Sequence, residues 1–256
     1  MNIYAFAPIA WALDLGYTFL QWLSSLLAPL TGELSAGLAV IVLTLAVRTL
    51  LIPVGRSQVR GELGRARIAP QLADLQRRYA KRPQELSEKT LELYRSEGVS
   101  MFAGIGPAIL QAPVLITVYG LFVLTSIGGH ANALLDASLA GVPLGQSLVH
   151  LLSTGPVFPG VIIYGVMLAV IVAVAEYNRR RMIRLSRSAS ATTGSLATMT
   201  RIMPWLSYVS AVTAIFVPLA AGLYLATTTL WTAIERAVLH RRLSLRSVPH
   251  VKILAK

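Results

Sequence analysis

Five apolar stretches, each long enough to cross a lipid bilayer, constrain the fold of this chain more than any other feature. A spanning helix needs about 20 predominantly apolar residues. Only 13% of the 256 residues are charged, whereas an ordinary soluble domain carries about 25%. We therefore predict an all-α, polytopic membrane protein. Its five transmembrane helices are predicted at residues 36–55, 105–127, 157–176, 202–216 and 218–238.

The last two of these stretches meet at Val217-Pro218. Proline has no N–H group and therefore interrupts a helix. Irregular backbone does not occur inside hydrocarbon where it would face lipid, because its polar groups would find no hydrogen-bond partners there. We therefore expect this break at a membrane–water interface, as a tight turn between two short helices.

The N-terminal segment, residues 1–35, contains an apolar stretch at 9–27 that is interrupted by Asp14 and Gln21 and bracketed by Pro8 and Pro29. An apolar helix that carries polar residues on one face suits the interface plane better than the bilayer centre. We interpret it as an amphipathic helix on the extracytoplasmic surface. A sixth transmembrane helix is the alternative.

Basic residues predict the orientation of the chain. Ten lysines and arginines lie at 56–95, six at 179–201 and six at 236–256, while residues 1–35 and 128–156 contain none. Loops rich in these residues stay in the cytoplasm. The N-terminus and the 128–156 loop are therefore predicted outside, and the 177–201 loop and the 239–256 tail in the cytoplasm. This topology accounts for the net charge of +12, so we predict no specific nucleic-acid binding.

The charge pattern at the start of the sequence bears on the cellular location. An organelle import leader is rich in arginine and poor in acids, and no such stretch opens this sequence. We therefore expect a multi-pass protein of the bacterial plasma (inner) membrane.

The pattern of apolar residues at 56–100 predicts a cytoplasmic helical hairpin. It is long enough to serve as a docking element as well as a connector. Apolar residues recur at helical spacing on both sides of a turn at Lys81-Arg82-Pro83. Proline favours the first position of a helix, so Pro83 is expected to begin the second one. The two facing stripes are Val59, Leu63, Ile68, Leu72, Leu75 and Tyr79, followed by Leu86, Thr90, Leu93 and Tyr94.

The remaining basic residue, Arg48, lies inside the first predicted span. A central arginine costs ~2.5–3.5 kcal/mol on insertion scales. Snorkelling toward the cytoplasm is one explanation, and a buried salt bridge is another. No acidic residue lies in the middle of a span, since Glu176 and Glu235 are at the cytoplasmic ends. We infer a hydrated cavity around Arg48 that is open to the cytoplasm.

Other polar residues in the predicted spans are candidates to line this cavity. Thr44 shares the helix face of Arg48, because it precedes it by four residues. Gln111 lies in the second span, and Thr227, Thr228 and Thr229 form a run in the fifth. Each has a structural explanation alone, because threonine hydroxyls bond to their own helix and glutamine joins helices. Beside an arginine without a partner, the set favours a hydrophilic groove.

Signatures of catalysis are missing from the sequence. It contains no G-x-S-x-G, H-E-x-x-H or phosphate-binding glycine loop, and no cysteine. The four histidines are distant in sequence: His130, His150, His240 and His250. We predict a non-enzyme with no catalytic residue, no metal site and no cofactor. A small transporter or channel with an intramembrane anion site at Arg48 is the alternative function, and a membrane scaffold without a groove is a third.

Three motifs resemble those of the YidC family of membrane protein insertases, which has relatives in mitochondria and chloroplasts. The first is the apolar run 41–53, which places Arg48 shortly before Pro53. The second follows the charged hairpin and contains Pro107, Gln111 and Pro113. The third is Val217-Pro218 followed by Ala221-Gly222-Leu223-Tyr224. Departures at Ser100-Met101, Leu225 and Thr229 indicate a divergent bacterial member.

The resemblance implies an insertase and chaperone that moves short polar segments of nascent membrane proteins across the bilayer. The path would be a groove open to cytoplasm and lipid. Arg48 would be the groove arginine, with Thr44 as its neighbour, Gln111 as a lining residue and Tyr224 in contact with substrate helices. Thr228 joins this candidate substrate-binding set from the threonine run. The implied partners are nascent membrane proteins and membrane lipids, with the ribosome and the Sec translocon as further candidates.

Overall fold

The computed structural model describes Tyr4 and residues 6–99, 106–155, 158–188 and 203–246. Most of these residues are helical, in agreement with the predicted fold class. The described helices are α1 (Ala7–Thr31), α2 (Ser35–Leu50), α3 (Ile52–Arg78), α4 (Pro83–Ser96), α5 (Gly106–Val123), α6 (Leu148–Thr154), α7 (Phe158–Ser188), α8 (Val209–Phe216) and α9 (Leu219–Arg246). Two short 3-10 helices, Gly32–Leu34 and Met203–Tyr208, precede α2 and α8.

Two helical runs among the described residues are long and apolar enough to cross a membrane. One is Ala7–Leu50, which contains an 18-residue window with a mean hydropathy of 1.9, and the other is Phe158–Arg184, which contains one with a mean hydropathy of 2.5. The first run joins α1 and α2 through the Gly32–Leu34 turn. The number of five spans stays a prediction.

Helix α1 has three faces along its length. One is buried against α2 and α5 and includes Leu13 and Leu20. A second is exposed and apolar, formed by Trp11, Leu15, Phe19, Trp22, Leu26 and Leu30. The third is exposed and polar, formed by Asp14, Thr18, Gln21 and Ser25. Such a division suits a helix that faces protein, lipid and water at once.

The first turn of α3 follows α2 almost without interruption. Pro53 lies in that first turn, where its missing N–H group leaves no intrahelical bond unmade. Because α3 begins at Ile52, the helix of the predicted hairpin starts before residue 56. Pro83 is the first residue of α4, the position that the sequence predicts for it. Within the hairpin, the Arg67 guanidinium donates to the Glu97 carbonyl at 2.8 Å.

The bundle core is formed by side chains from several helices. Leu20, Phe122, Tyr164, Ile171 and Leu219 are almost completely buried and come from α1, α5, α7 and α9. Helix α9 packs along both α2 and α7. The end of the bundle that carries residues 124–155 is called the loop end below. The opposite end, where α3 meets the last turns of α7 and α9, is called the basic end.

The loop end is an ordered cap with two small antiparallel hairpins. Strand β1 (Ser126–Ile127) pairs with β2 (His130–Ala131), and β3 (Ser138–Leu139) pairs with β4 (Val142–Pro143). The tight turn of the second hairpin holds Ala140 and Gly141 at positive φ, +50° and +79°. Five buried side chains attach the cap to the helices, namely Ile127, Leu134, Val142, Leu144 and Leu151.

The break at Val217-Pro218 lies at the loop end. Pro218 forms a β-bridge with Ser147. The backbone N–H of Leu219 donates to the Gln146 carbonyl at 2.8 Å, and that of Ala220 donates to the Leu144 carbonyl at 3.0 Å. The first N–H groups of a helix have no partner within the helix, so the cap supplies acceptors for the start of α9.

Asn132 performs the complementary task at the end of α5. Its side-chain amide donates to the carbonyls of Leu121 and Leu124, both at 2.8 Å, and its oxygen accepts from the Leu134 N–H at 3.2 Å. The side chain is buried. Asn132 therefore satisfies carbonyls at the C-terminus of α5 that have no partner within that helix.

Ala140→Gly is expected to stabilise the protein by about 0.5 kcal/mol. Alanine at positive φ carries a steric penalty that glycine avoids, and the greater freedom of glycine in the unfolded chain offsets part of the gain. Thermal unfolding in detergent would measure the change. Ala137→Gly is the matched control, because Ala137 has an ordinary negative φ and its replacement should destabilise. A lower melting temperature for Ala140→Gly would contradict the strain argument.

Candidate functional site

Arg48 meets Thr228 where α2 packs against α9. The Nε group of Arg48 donates to the Thr228 hydroxyl oxygen at 3.3 Å. Arg48 lies in the last turn of α2 and is partly buried, while Thr228 is buried in α9. The structure thus brings together two of the five predicted site residues from helices that are 180 residues apart in sequence.

Tyr224 and Thr44 are also close to this pair, each one turn away along its own helix. Tyr224 is buried and interacts electrostatically with the Arg48 charge. Thr44 is buried too, but its hydroxyl donates to the Val40 carbonyl of its own helix at 2.7 Å. Such a bond within its own helix is the structural explanation that the sequence analysis offered for threonines in a span, as an alternative to lining a cavity. Gln111 lies in α5, and its side chain is outside the described part of the chain.

Glu235 is a member of the site that the sequence analysis considered as a partner for Arg48 and set aside, because it lies at the cytoplasmic end of a predicted span. It lies two helical turns after Thr228 on the same face of α9, and its carboxylate interacts electrostatically with Arg48. No ion pair formed by the described residues includes Arg48. The helical spacing from Thr228 to Glu235 was the signal that could have identified this residue from sequence.

The carboxylate of Glu235 occupies a confined place between α3 and α9. Its Oε2 accepts from the Trp231 indole N–H at 3.1 Å. Its Oε1 is buried and has no hydrogen-bond partner among the described residues. A Cβ atom on Gly55 would clash with this Oε1, so the absence of a side chain at this position of α3 makes room for the carboxylate.

A largely apolar groove of about 560 Å³ opens between α2, α7 and α9. Thr227 and Trp231 line it on α9, directly beside Thr228. On α2 its lining ends at Leu45, one turn before Arg48. The side chains that line the remainder include Ile41, Ile162, Val166, Met167, Val170, Leu223, Leu230 and Ile234. The Arg48 site is therefore a polar edge of an apolar groove.

A second cavity of about 590 Å³ lies on the other side of α2, where α1 and α5 approach it. From α2 it is lined by Leu43, Ala46, Val47 and Leu50. Helix α2 thus presents apolar side chains to a cavity on either side. Only the strip that carries Thr44 and Arg48, packed against α9, brings polar groups together.

Glu62 connects three helices at the basic end. Its carboxylate lies 3.4 Å from the Arg181 guanidinium of α7, 3.6 Å from that of Arg236 and 3.2 Å from the His240 ring, the last two on α9. All four side chains are about one quarter to two fifths exposed. This cluster holds α3, and with it the hairpin, against the bundle.

Glu176, which the sequence suggested as a possible mate for Arg48, is fully engaged elsewhere. It accepts from Arg179 at 2.7 and 2.9 Å, from Arg180 at 2.6 Å and from the Tyr208 hydroxyl at 2.5 Å. The Arg179 guanidinium also lies 5.2 Å from the centre of the Trp205 ring. These contacts join the end of α7 to the segment before α8.

Glu62→Gln is expected to weaken the attachment of the hairpin to the helix bundle by about 1 kcal/mol, because partly exposed ion pairs contribute only modestly to stability. The substitution removes the carboxylate charge that Arg181, Arg236 and His240 share. Limited proteolysis of residues 79–83 should become several-fold faster. Glu85→Gln is the control, since Glu85 pairs only with Arg82 within the hairpin at 3.3 Å. Equal cleavage rates for the two variants would contradict the role of the cluster.

The chemistry available at the Arg48 site is binding. It offers a guanidinium, two hydroxyl groups and a carboxylate. Within the described ranges, no three side chains of histidine, aspartate or glutamate converge as metal ligands. An arginine with hydroxyl neighbours beside an apolar groove can hold an acidic or polar segment while adjacent apolar residues contact the groove.

Comparisons with known proteins bear on this site. The family model of the 60Kd inner membrane protein matches residues 26–246. Proteins named "Membrane protein insertase YidC" are similar in Oceanobacillus iheyensis, 34% identical over 103 residues, in Clostridium perfringens, 31% over 93 residues, and in a Shewanella species, 37% over 83 residues.

These alignments cover only part of each protein. They take in 39%, 36% and 32% of this chain, and 40%, 39% and 15% of the respective relatives. The family model, in contrast, extends from α1 to the end of α9. The resemblance seen in the sequence is therefore confirmed: the chain belongs to the 60Kd inner membrane protein family, the family of the YidC insertases.

Proposed function

We propose that this protein is a membrane protein insertase and chaperone that moves short polar segments of nascent membrane proteins across the bilayer. The observation that carries the proposal is Arg48, bound to the Thr228 hydroxyl and included in no ion pair of the described residues, at the edge of an apolar groove. The name printed for the similar proteins, membrane protein insertase, supports the same function.

The proposed topology has five spans, with the loop end outside and the basic end in the cytoplasm. The positive charge supports this orientation, because the 124–155 segment contains no lysine or arginine and basic segments stay inside. Helix α1 is proposed to lie at the outer interface. Its support is the polar face, where Gln21 donates to the Tyr17 hydroxyl and that hydroxyl accepts from Ala133 N–H of the loop end.

In the proposed mechanism, water from the cytoplasm enters between α2 and α9 as far as Arg48. Each unsatisfied backbone group of a client costs several kcal/mol in hydrocarbon, so a hydrated groove shortens the dry part of the path. Arg48, Thr228 and Tyr224 offer transient partners to the polar segment. With a negative cytoplasm, moving an acidic charge outward gains ~2.3 kcal/mol per 100 mV.

The apolar part of the client is proposed to leave through the groove between α2, α7 and α9. Its walls are almost entirely apolar, so a client helix exchanges one apolar environment for another as it passes into lipid. Hydrophobic transfer of the client supplies the drive, and no nucleotide is required. The basic end, with the hairpin, is the proposed surface for the ribosome or the Sec translocon.

Reconstitution of the purified protein into liposomes tests the function. We expect a single-span client with a short acidic outer tail to insert into these liposomes, measured by protease protection of the tail. Empty liposomes provide the baseline. Insertion that does not rise above that baseline would contradict an insertase. Anion flux through the same liposomes would instead support the alternative, a transporter or channel with Arg48 as its anion site.

A further inference from the structure

The Arg48 site contains an acid, Glu235, on the helix face that also carries the partner of the guanidinium. Glu235 and Thr228 share one face of α9, and Arg48 is bound to Thr228 at 3.3 Å. The Glu235 carboxylate interacts electrostatically with both Arg48 and Arg236. Position 235 is thus the nearest acid along α9 to the residue that holds Arg48.

The surroundings of Glu235 require a compensating positive charge. One carboxylate oxygen accepts from Trp231 at 3.1 Å, while the other is buried beside the backbone of Gly55 without a hydrogen bond from any residue in the described part of the chain. Burying a carboxylate oxygen in this way is unfavourable unless a cation compensates it. Arg236 already pairs with Glu62 at 3.6 Å. Arg48 is the other cation whose charge acts on Glu235.

We propose that Glu235 is a positioning residue that acts through Arg48, as the internal counter-charge of the groove. Before a client arrives, Glu235 and Thr228 hold the guanidinium on the α9 side. An acidic residue of the client then competes with Glu235 for Arg48. This inference rests on the proposed insertase function and adds a determinant of which clients the groove retains.

The groove is then expected to bind acidic client segments with moderate affinity. A lone guanidinium in a low-dielectric site would hold a carboxylate tightly and delay its release to the outside. A fixed carboxylate near the guanidinium lowers its affinity for the client carboxylate and favours release of the client. Clients with acidic tails should therefore be retained more strongly when the charge at position 235 is removed, whereas clients with neutral tails should be unaffected.

Glu235→Gln tests this inference, because glutamine keeps an acceptor for the Trp231 N–H and removes only the charge. A photoreactive residue at Thr227, which lines the groove, reports contact with the client tail by cross-linking. We expect the cross-linking yield for a client with an acidic tail to rise about fivefold. The yield for the matched neutral tail should stay unchanged, and Glu235→Asp, which retains the charge, should behave as the wild type does.

A double-variant cycle with Arg48→Ala separates this inference from the proposed function. If Glu235 acts through Arg48, Glu235→Gln has no effect in the Arg48→Ala background. An equal effect in both backgrounds, an equal effect on acidic and neutral tails, or no effect at all would overturn the inference. None of these results would affect the insertase proposal, which fails instead if the wild-type protein in liposomes does not insert the client.

Discussion

Replacing Arg48 with alanine is expected to lower the insertion of a single-span client with an acidic outer tail about tenfold, equivalent to ~1.4 kcal/mol in the barrier. The substitution removes the one charged side chain of α2, which in the proposed mechanism meets the client carboxylate. Thr228 loses the donor that it binds at 3.3 Å. Insertion is measured in cells or liposomes by protease protection of the tail.

Two further variants of Arg48 and a client with a neutral tail test the role of charge more strictly. Arg48→Lys should retain most of the activity, because the charge is kept, while Arg48→Glu should reduce it further than alanine does. A client with a neutral tail should insert at a similar rate in all variants. Unchanged insertion of several acidic clients by Arg48→Ala and Arg48→Glu would refute the role of charge in the groove.

Asn132→Ala is expected to destabilise the folded protein by about 3 kcal/mol, the largest effect on stability that we predict. The change removes three hydrogen bonds and leaves the Leu121 and Leu124 carbonyls and the Leu134 N–H without their partner. Each buried group left unsatisfied costs about 1–3 kcal/mol, and local relaxation with water recovers part of this. Thermal unfolding in detergent provides the measurement.

Two variants at the loop end serve as comparisons for Asn132→Ala. Asn132→Asp keeps the acceptor for Leu134 and loses both donations, so its melting temperature should also fall below that of the wild type. Ser153→Ala removes an exposed hydroxyl that bonds only to the His150 carbonyl at 2.8 Å, and it should be nearly neutral. A melting temperature for Asn132→Ala equal to that of Ser153→Ala would show that the cap of α5 is dispensable.

Much of the candidate site was accessible to sequence reasoning because its signals are local. Arg48 was identified by the cost of a charge within an apolar run, and Thr228 by its place in a polar run. The structure places their side chains within hydrogen-bonding distance. Thr44 was selected by helical spacing alone, yet its hydroxyl bonds to Val40, and spacing cannot distinguish these two uses.

Glu235 shows the limit of what local sequence patterns predict. The sequence places this residue near the end of a predicted span, and we therefore read it as a boundary residue and looked for partners of Arg48 at its own depth. In the structure Arg48 and Glu235 interact electrostatically from different helices, and Gly55 of a third helix makes room for the carboxylate. Such an arrangement depends on three separate segments.

The sequence by itself determined the helical character of the chain, its family and the presence of an unusual arginine. The helical character and the unusual arginine follow from hydropathy and periodicity, which act over one or two helical turns. The family follows from the resemblance of three motifs. Only the tertiary structure decided which acid faces Arg48, how the loop end supplies acceptors for α9 at Pro218, and how Asn132 caps α5. Those contacts join residues distant in sequence, and their energies depend on packing that no single segment encodes.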